Sequence, residues 1–292
     1  AVYCADEDID WSSAEALRMA SPNLGVSIDE EALLLDQKEA VRNPARQNAF
    51  RAMALCQWTT AAAAWMNMSA WAKCADPTLT PDSVKDLPCW HGSDLASKID
   101  FAATVTLFRR DIDGKPHYYA FCRAYLPEAR VNLPENHHYQ KWSRQGHLTA
   151  TPGSSIDYAT IEADSLADIA AYQVRELAYD ARYADQYAQR VSDQAGIPRV
   201  ETPPSPAVLS PAMKELEAAI YDGRFHHNGD PVLTWCISNV LTRETPAGNY
   251  TMPDKARPES KIDAAVALFI AMSRAMVAPI APKKASFKPF FM

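Results

Sequence analysis

The cysteines of this chain are unpaired in sequence: Cys4, Cys56, Cys74, Cys89, Cys122 and Cys236 are far apart and form no Cys-x-x-Cys. That excludes a zinc ribbon or a disulfide framework and fits a reducing cytoplasm. Histidines are not grouped either, and the adjacent pair His137 and His138 lacks helix-face metal spacing. No apolar run reaches the length of a membrane span, and residues 1–20 hold too many acids for a signal peptide. There is no phosphate-binding loop; the single Gly-Lys, Gly114-Lys115, is followed by Pro116. Gly-x-Ser-x-Gly, His-Glu-x-x-His and Gly-x-Gly-x-x-Gly are also absent. A net charge of -7 argues against a protein that coats nucleic acid along its whole surface, while leaving room for a local basic groove.

What is present is enough for a sizeable core: 292 residues, 48% apolar, room for one or two domains. Residues 1–75 read as helices, broken at Ser21 to Gly25 and at Asn43-Pro44, with a capping box at Ser27-Ile-Asp-Glu30. Trp58, Trp65 and Trp71 read there as a packed helix face. The polar stretch from Asp76-Pro77 to Asp86 is the expected boundary, with a second domain over 76–292. The organising stretch follows at Leu87. Two strands joined by a short loop, then an Asp113-Gly114 hairpin into a third, are expected from the β-favouring runs on either side. Asp94 follows the first run; Asp100 precedes Phe101 to Phe108, a run apolar on both faces and so a central strand. A carboxylate in such a setting is costly unless compensated, and a divalent metal is the simplest compensator.

Residues 127–155 look irregular, and carry Arg130, His137, His138, Lys141, Trp142, Arg144 and His147. Cations and rings together suit a nucleic-acid backbone, although a solvated loop explains the composition at least as well. From Ile156 to Val191 propensity favours helix, with Val174 to Asp180 open as a strand. A short strand is expected at Ile197 to Val200, a helix from Ser210-Pro211 to about Asp222, and loop over 249–258. Ser260-Lys-Ile-Asp263 opens a largely buried helix to about Val277, and a capping box explains Asp263 more simply than catalysis does. The tail from Lys283 to Met292 is basic and aromatic. What survives as chemistry is a scatter of Asp at strand ends and one helix start, hard oxygen ligands suited to Mg2+ or Mn2+.

Linked motifs then resemble the C-terminal nuclease half of phage terminase large subunits, in the HK97-like branch. They run in order as Pro22-Asn-Leu-Gly-Val-Ser27; Phe50, Leu55, Trp58 and Trp65; Gly92-Ser-Asp-Leu-Ala96 with Asp100; Tyr125-Leu-Pro-Glu128; Thr151-Pro-Gly153; Ile156-Asp-Tyr158; and Tyr179-Asp180. His227, Pro231 to Trp235, Asn239, and Lys261-Ile-Asp263 ahead of Ala265, Ala267 and Ala271 complete a resemblance that spans essentially the whole chain.

The resemblance implies an α/β, RNase H-like nuclease fold, a mixed central sheet flanked by helices, behind an N-terminal helical segment. It implies that Asp94, Asp180 and Asp263 are catalytic and hold metal, two Mg2+ or Mn2+ ions, with Asp100 as an accessory acid. For Asp263 it reverses the reading from the cap alone. The activity implied is cleavage of double-stranded DNA with little sequence preference. Arg109, Arg110, Arg130, Lys141, Arg144, His227 and Lys261 are candidate DNA contacts. Implied partners are a portal protein and a small terminase subunit, with a ring on the procapsid, a monomer in isolation, and the host cell cytoplasm as location. A complete large terminase opens with an ATPase domain, so residues 1–75 read as the end of that region, and ATP-driven packaging is not expected of this chain alone. Two alternatives stay open: another RNase H-like enzyme of the resolvase or transposase type, and a non-catalytic portal-docking module.

Overall fold

A computed structural model describes residues 3–6, 9–42, 44–57, 64–95, 98–244, 251–255 and 260–279. Trp58, Ala96 and the tail from Lys283 fall outside these residues.

Three helices open the chain: α1 (Ala14–Ala20), α2 (Glu30–Arg42) and α3 (Pro44–Ala54). They enclose a small apolar cluster of their own, with Leu17 and Leu55 fully buried beside Trp11, Leu33 and Phe50. The start of α2 corrects the capping-box reading, because Asp29 and not Ser27 accepts the free amides, from Glu31 and Ala32. After α4 (Met68–Lys73) the chain enters the main core, and Trp65, Met66, Trp71 and Cys74 already belong to it.

Three strands follow: β1 (Pro88–Asp94), β2 (Ala102–Ile112) and β3 (Lys115–Pro127). Asp113 and Gly114 both take positive φ, 50° and 79°, as a two-residue hairpin turn requires. Residues 127–155 are more ordered than their prolines and glycines indicate. They form α5 (Glu128–Val131), α6 (His137–Arg144) and β4 (Thr149–Thr151), because Tyr139 and Leu148 supply buried anchors. Next come α7 (Tyr158–Ala171), β5 (Gln173–Tyr179), α8 (Ala181–Ala195) and β6 (Arg199–Glu201), so the open stretch before Asp180 is a strand. Helix α9 (Pro206–Tyr221) starts at Ser205-Pro206, one Ser-Pro pair earlier than expected, and carries Pro211 in its interior. Then β7 (Phe225–His227), α10 (Pro231–Ser238), β8 (Val240–Glu244), β9 (Thr251–Lys255) and α11 (Asp263–Ala275) complete the order, with β9 where loop was expected.

The strand order is β4-β3-β2-β1-β5-β6, with β7 also on β3. β1, β2 and β3 are antiparallel, whereas β5 runs parallel to β1. Helices cover both faces, giving a mixed α/β, RNase H-like architecture with β2 and β1 at its centre. Helix α11 is buried from Ala264 to Met272 and lies on β1 and β2. It can do so because β1 carries glycine at the crossing: a Cβ on Gly92 would stand 2.3 Å from the Ala267 carbonyl oxygen and 2.7 Å from the Ala271 amide. The small residues Gly92, Ala267 and Ala271 are one close approach of backbone to backbone.

Candidate active site

Asp94 is the last residue of β1, and Ser93 before it pairs with Tyr179, the last residue of the parallel strand β5. Asp180 comes next and is the N-cap of α8, its carboxylate accepting from the Arg182 amide at 3.1 Å. Parallel neighbours ending in register thus deliver Asp94 and Asp180 side by side. The third acid arrives on the helix that Gly92 admits. Asp263 is the first residue of α11, and its helix begins without a side-chain cap from Ser260, so the expected capping box does not form.

All three carboxylates are half-buried at this end of the sheet. Burial, then the charges of Asp263 and Asp180, hold the Asp94 carboxyl well above the usual carboxylate range. Burial and the Asp100 charge push Asp263 up to about 6. Opposing this is Lys255, at the end of β9, whose charge favours the ionised forms of Asp94, Asp100 and Asp263. No sequence signal marked Lys255; it reaches the acids only through the β8–β9 pairing.

Asp100 behaves differently. Despite burial that would raise it, its carboxyl is held low by the Lys261 ammonium at 2.6 Å and by the Phe101 amide at 2.9 Å. The Asn239 amide donates to the Lys261 carbonyl at 3.0 Å, which fixes the approach to α11. These two residues, quoted from family motifs without a role, therefore brace the acids.

As a donor set, carboxylate oxygens on three separate elements suit a hard divalent cation, and such a charge would relieve the strain on Asp94 and Asp263. Yet among the described residues no three His, Cys, Asp or Glu side chains close into a metal-holding group. Asp180 is turned onto its own helix and Asp100 onto Lys261. The donors fit an ion in kind, and enclosing one requires these side chains to turn inward.

Four of the other residues proposed to meet DNA are placed otherwise. Arg109 is 4% exposed and spends its guanidinium on the Ala275 and Ala278 carbonyls at 2.7 and 2.9 Å and on Asp111 at 2.9 Å, tying down the C-terminus of α11. Arg110 follows at the end of β2 that faces the start of β1, roughly 23 Å of strand away from Asp94. His227 is buried, stacked on Trp71 with ring centroids 4.3 Å apart, and accepts from the Gly229 amide at Nδ1 while its Nε2 meets the Trp71 carbonyl at 3.1 Å. Lys261 is engaged with Asp100. The remaining three, Arg130, Lys141 and Arg144, are exposed on α5 and α6. That surface borders the acids: Tyr139 of α6 packs on Phe101, and burial and Cys236, then Asp100 and Asp263, raise its phenol.

The chain is 37% identical over 285 residues to Protein YmfN of Escherichia coli (strain K12), covering 94% of this chain and 62% of that one. It is 30% identical over 281 residues to the terminase large subunit of Enterobacteria phage HK97, covering 94% and 54%. The crystal structure of the HK97 bacteriophage large terminase superposes with a TM-score of 0.61 at 29% identity, over 93% of this chain and 56% of that one. The chain therefore spans little more than half the length of these relatives. Residues 2–278 match the family described as terminase large subunit, endonuclease domain, and with the acids at the ends of β1, β5 and α11 this makes the chain a member of that family.

Proposed function

We propose that the chain is the DNA-cutting part of a packaging terminase, a metal-dependent endonuclease that hydrolyses phosphodiester bonds of concatemeric double-stranded DNA. The observation that carries the proposal is the meeting of Asp94, Asp180 and Asp263 at one end of the sheet, with burial and mutual repulsion acting on Asp94. These acids would hold two Mg2+ or Mn2+ ions, with Asp100 adjoining. When bound, the ions supply a water of lowered pKa and positive charge for the departing oxygen. The protein's own groups do the positioning. Lys255 and Lys261 offset the repulsion a phosphate meets on approaching carboxylates. Arg130, Lys141 and Arg144 hold the duplex by its phosphates, which gives little sequence preference.

Gly114 lies in the β2–β3 turn and Lys115 opens β3, and no ATP hydrolysis is expected from this chain. No helix among the described residues is long and apolar enough to cross a membrane. We assign the site of action to the host cell cytoplasm. The working assembly would be a ring on the procapsid, with a portal protein and a small terminase subunit as partners, and the isolated chain a monomer. Plasmid cleavage with Mn2+, Mg2+ or EDTA, beside Asp94→Asn and Asp263→Asn variants checked for folding, tests the assignment. Metal-dependent nicking that both variants lose supports it; a folded wild-type chain that is inert with either metal overturns it.

A further inference from the structure

Directly behind the acids lies a chain of buried polar groups that the proposed chemistry does not use. The Tyr187 hydroxyl, on α8, stands 2.7 Å from Ser165 Oγ on α7 and 3.2 Å from Ser93 Oγ on β1. Ser165 Oγ is 3.3 Å from His91 Nε2, and His91 Nδ1 is 3.1 Å from Thr106 Oγ1 on β2. Tyr187, Ser93, Ser165 and His91 are all fully buried.

Position gives this chain its significance. Ser93 is the residue before Asp94, and Tyr187 sits two turns into the helix that Asp180 caps. Strand pairing fixes the backbone at Asp94 and up to Tyr179, whereas the buried contacts of α8 through Ala184, Ala188 and Val191 are apolar and non-directional and do not by themselves set its register against β1. A change of register would carry the helix amides that hold Asp180, and so its carboxylate, away from Asp94. A buried hydroxyl shared between two serines resists it, because any shift leaves desolvated polar atoms unpaired.

We propose that Tyr187 is a positioning residue for the metal site: through Ser93 and Ser165 it sets α8 against β1, and so sets the positions from which Asp180 and Asp94 would hold a divalent cation. This rests on the metal reading above and adds a determinant outside the acids.

The test is calorimetric titration of Mn2+ into the full chain, wild type against Tyr187→Phe, with Ser93→Ala as a second variant that keeps the ring. Tyr187→Phe retains the packing volume, so thermal melts check that it folds. The expected result is at least fivefold weaker Mn2+ binding in both variants, unchanged DNA affinity in EDTA, and an equal rise in the Mn2+ concentration giving half-maximal plasmid cleavage. In an Asp180→Asn background the Tyr187→Phe change should add nothing further. Wild-type Mn2+ binding retained in both folded variants overturns the positioning role and leaves the nuclease reading intact. No Mn2+ binding by the wild-type chain overturns the metal reading and this inference with it.

Discussion

Asp94 costs the fold something. Its carboxyl is half-buried and faces two further acids, so the charged form is disfavoured by the same neighbours that would recruit a cation. Asp94→Asn should therefore lower metal-dependent cleavage by about 100-fold or more, while the melting temperature in EDTA stays level or rises. A melt and a plasmid assay on one preparation check both halves. His91 is the opposite case, a group that must stay neutral. Burial pushes its imidazole down to about 4, from the ordinary 6.5. Between those two pH values the unfolded chain takes up a proton that the folded one refuses, so stability falls as pH drops through the window. The loss reaches about 3 kcal/mol at its acid end. Urea unfolding at pH 7.5 and 4.5 should show it, and His91→Gln should flatten the slope. At this scale the acids were legible by their motifs, whereas Lys255 and Tyr187 were not. Their importance comes from hairpin pairing and helix packing across distant segments, and one sequence carries no local mark of either.

The decisive element is α11, which lies on β1 where side chains leave no room. Gly92→Ala would place a methyl against the Ala267 carbonyl and the Ala271 amide, both backbone and unable to swing aside. We expect a loss of about 2–3 kcal/mol and displacement of Asp263, read as a lower denaturant midpoint together with lost cleavage. Arg109 holds the other end of the same helix. Arg109→Ala should cost about 1–3 kcal/mol of stability and leave the salt dependence of DNA binding unchanged, which separates a helix clamp from a phosphate contact. Strand elements were readable, since the run from Leu87 to Glu128 pairs β-propensity with a diagnostic turn. Helix starts were less so. Ser205-Pro206 and Ser210-Pro211 carry the same opening signature, and only the packing of Leu209 into the core selects the earlier one. The irregular reading of residues 127–155 failed for a related reason: buried Tyr139 and Leu148 outweigh the local breakers.

Over the whole molecule, charge is unevenly spread. Residues 1–42 hold ten acids against three basic side chains, which accounts for the entire net charge of -7, and the remaining residues are balanced. A basic surface on α5 and α6 is thus not overwhelmed by the field of its own domain. Lys141→Ala and Arg144→Ala should each reduce the slope of log affinity against log salt by about 0.9, measured by fluorescence anisotropy on duplexes of several sequences with equal effect. The order in which the acids appear along the chain also matters to the host that synthesises it. Asp94 and Asp180 emerge before Asp263, which heads the last described helix, about 170 residues after Asp94, or roughly 10–30 s of translation. Because α11 fills the centre of the core, the sheet closes only after that helix has left the ribosome. Until α11 has emerged, a growing chain cannot bring the three acids together, and on the proposed function it cannot cut nearby DNA before then.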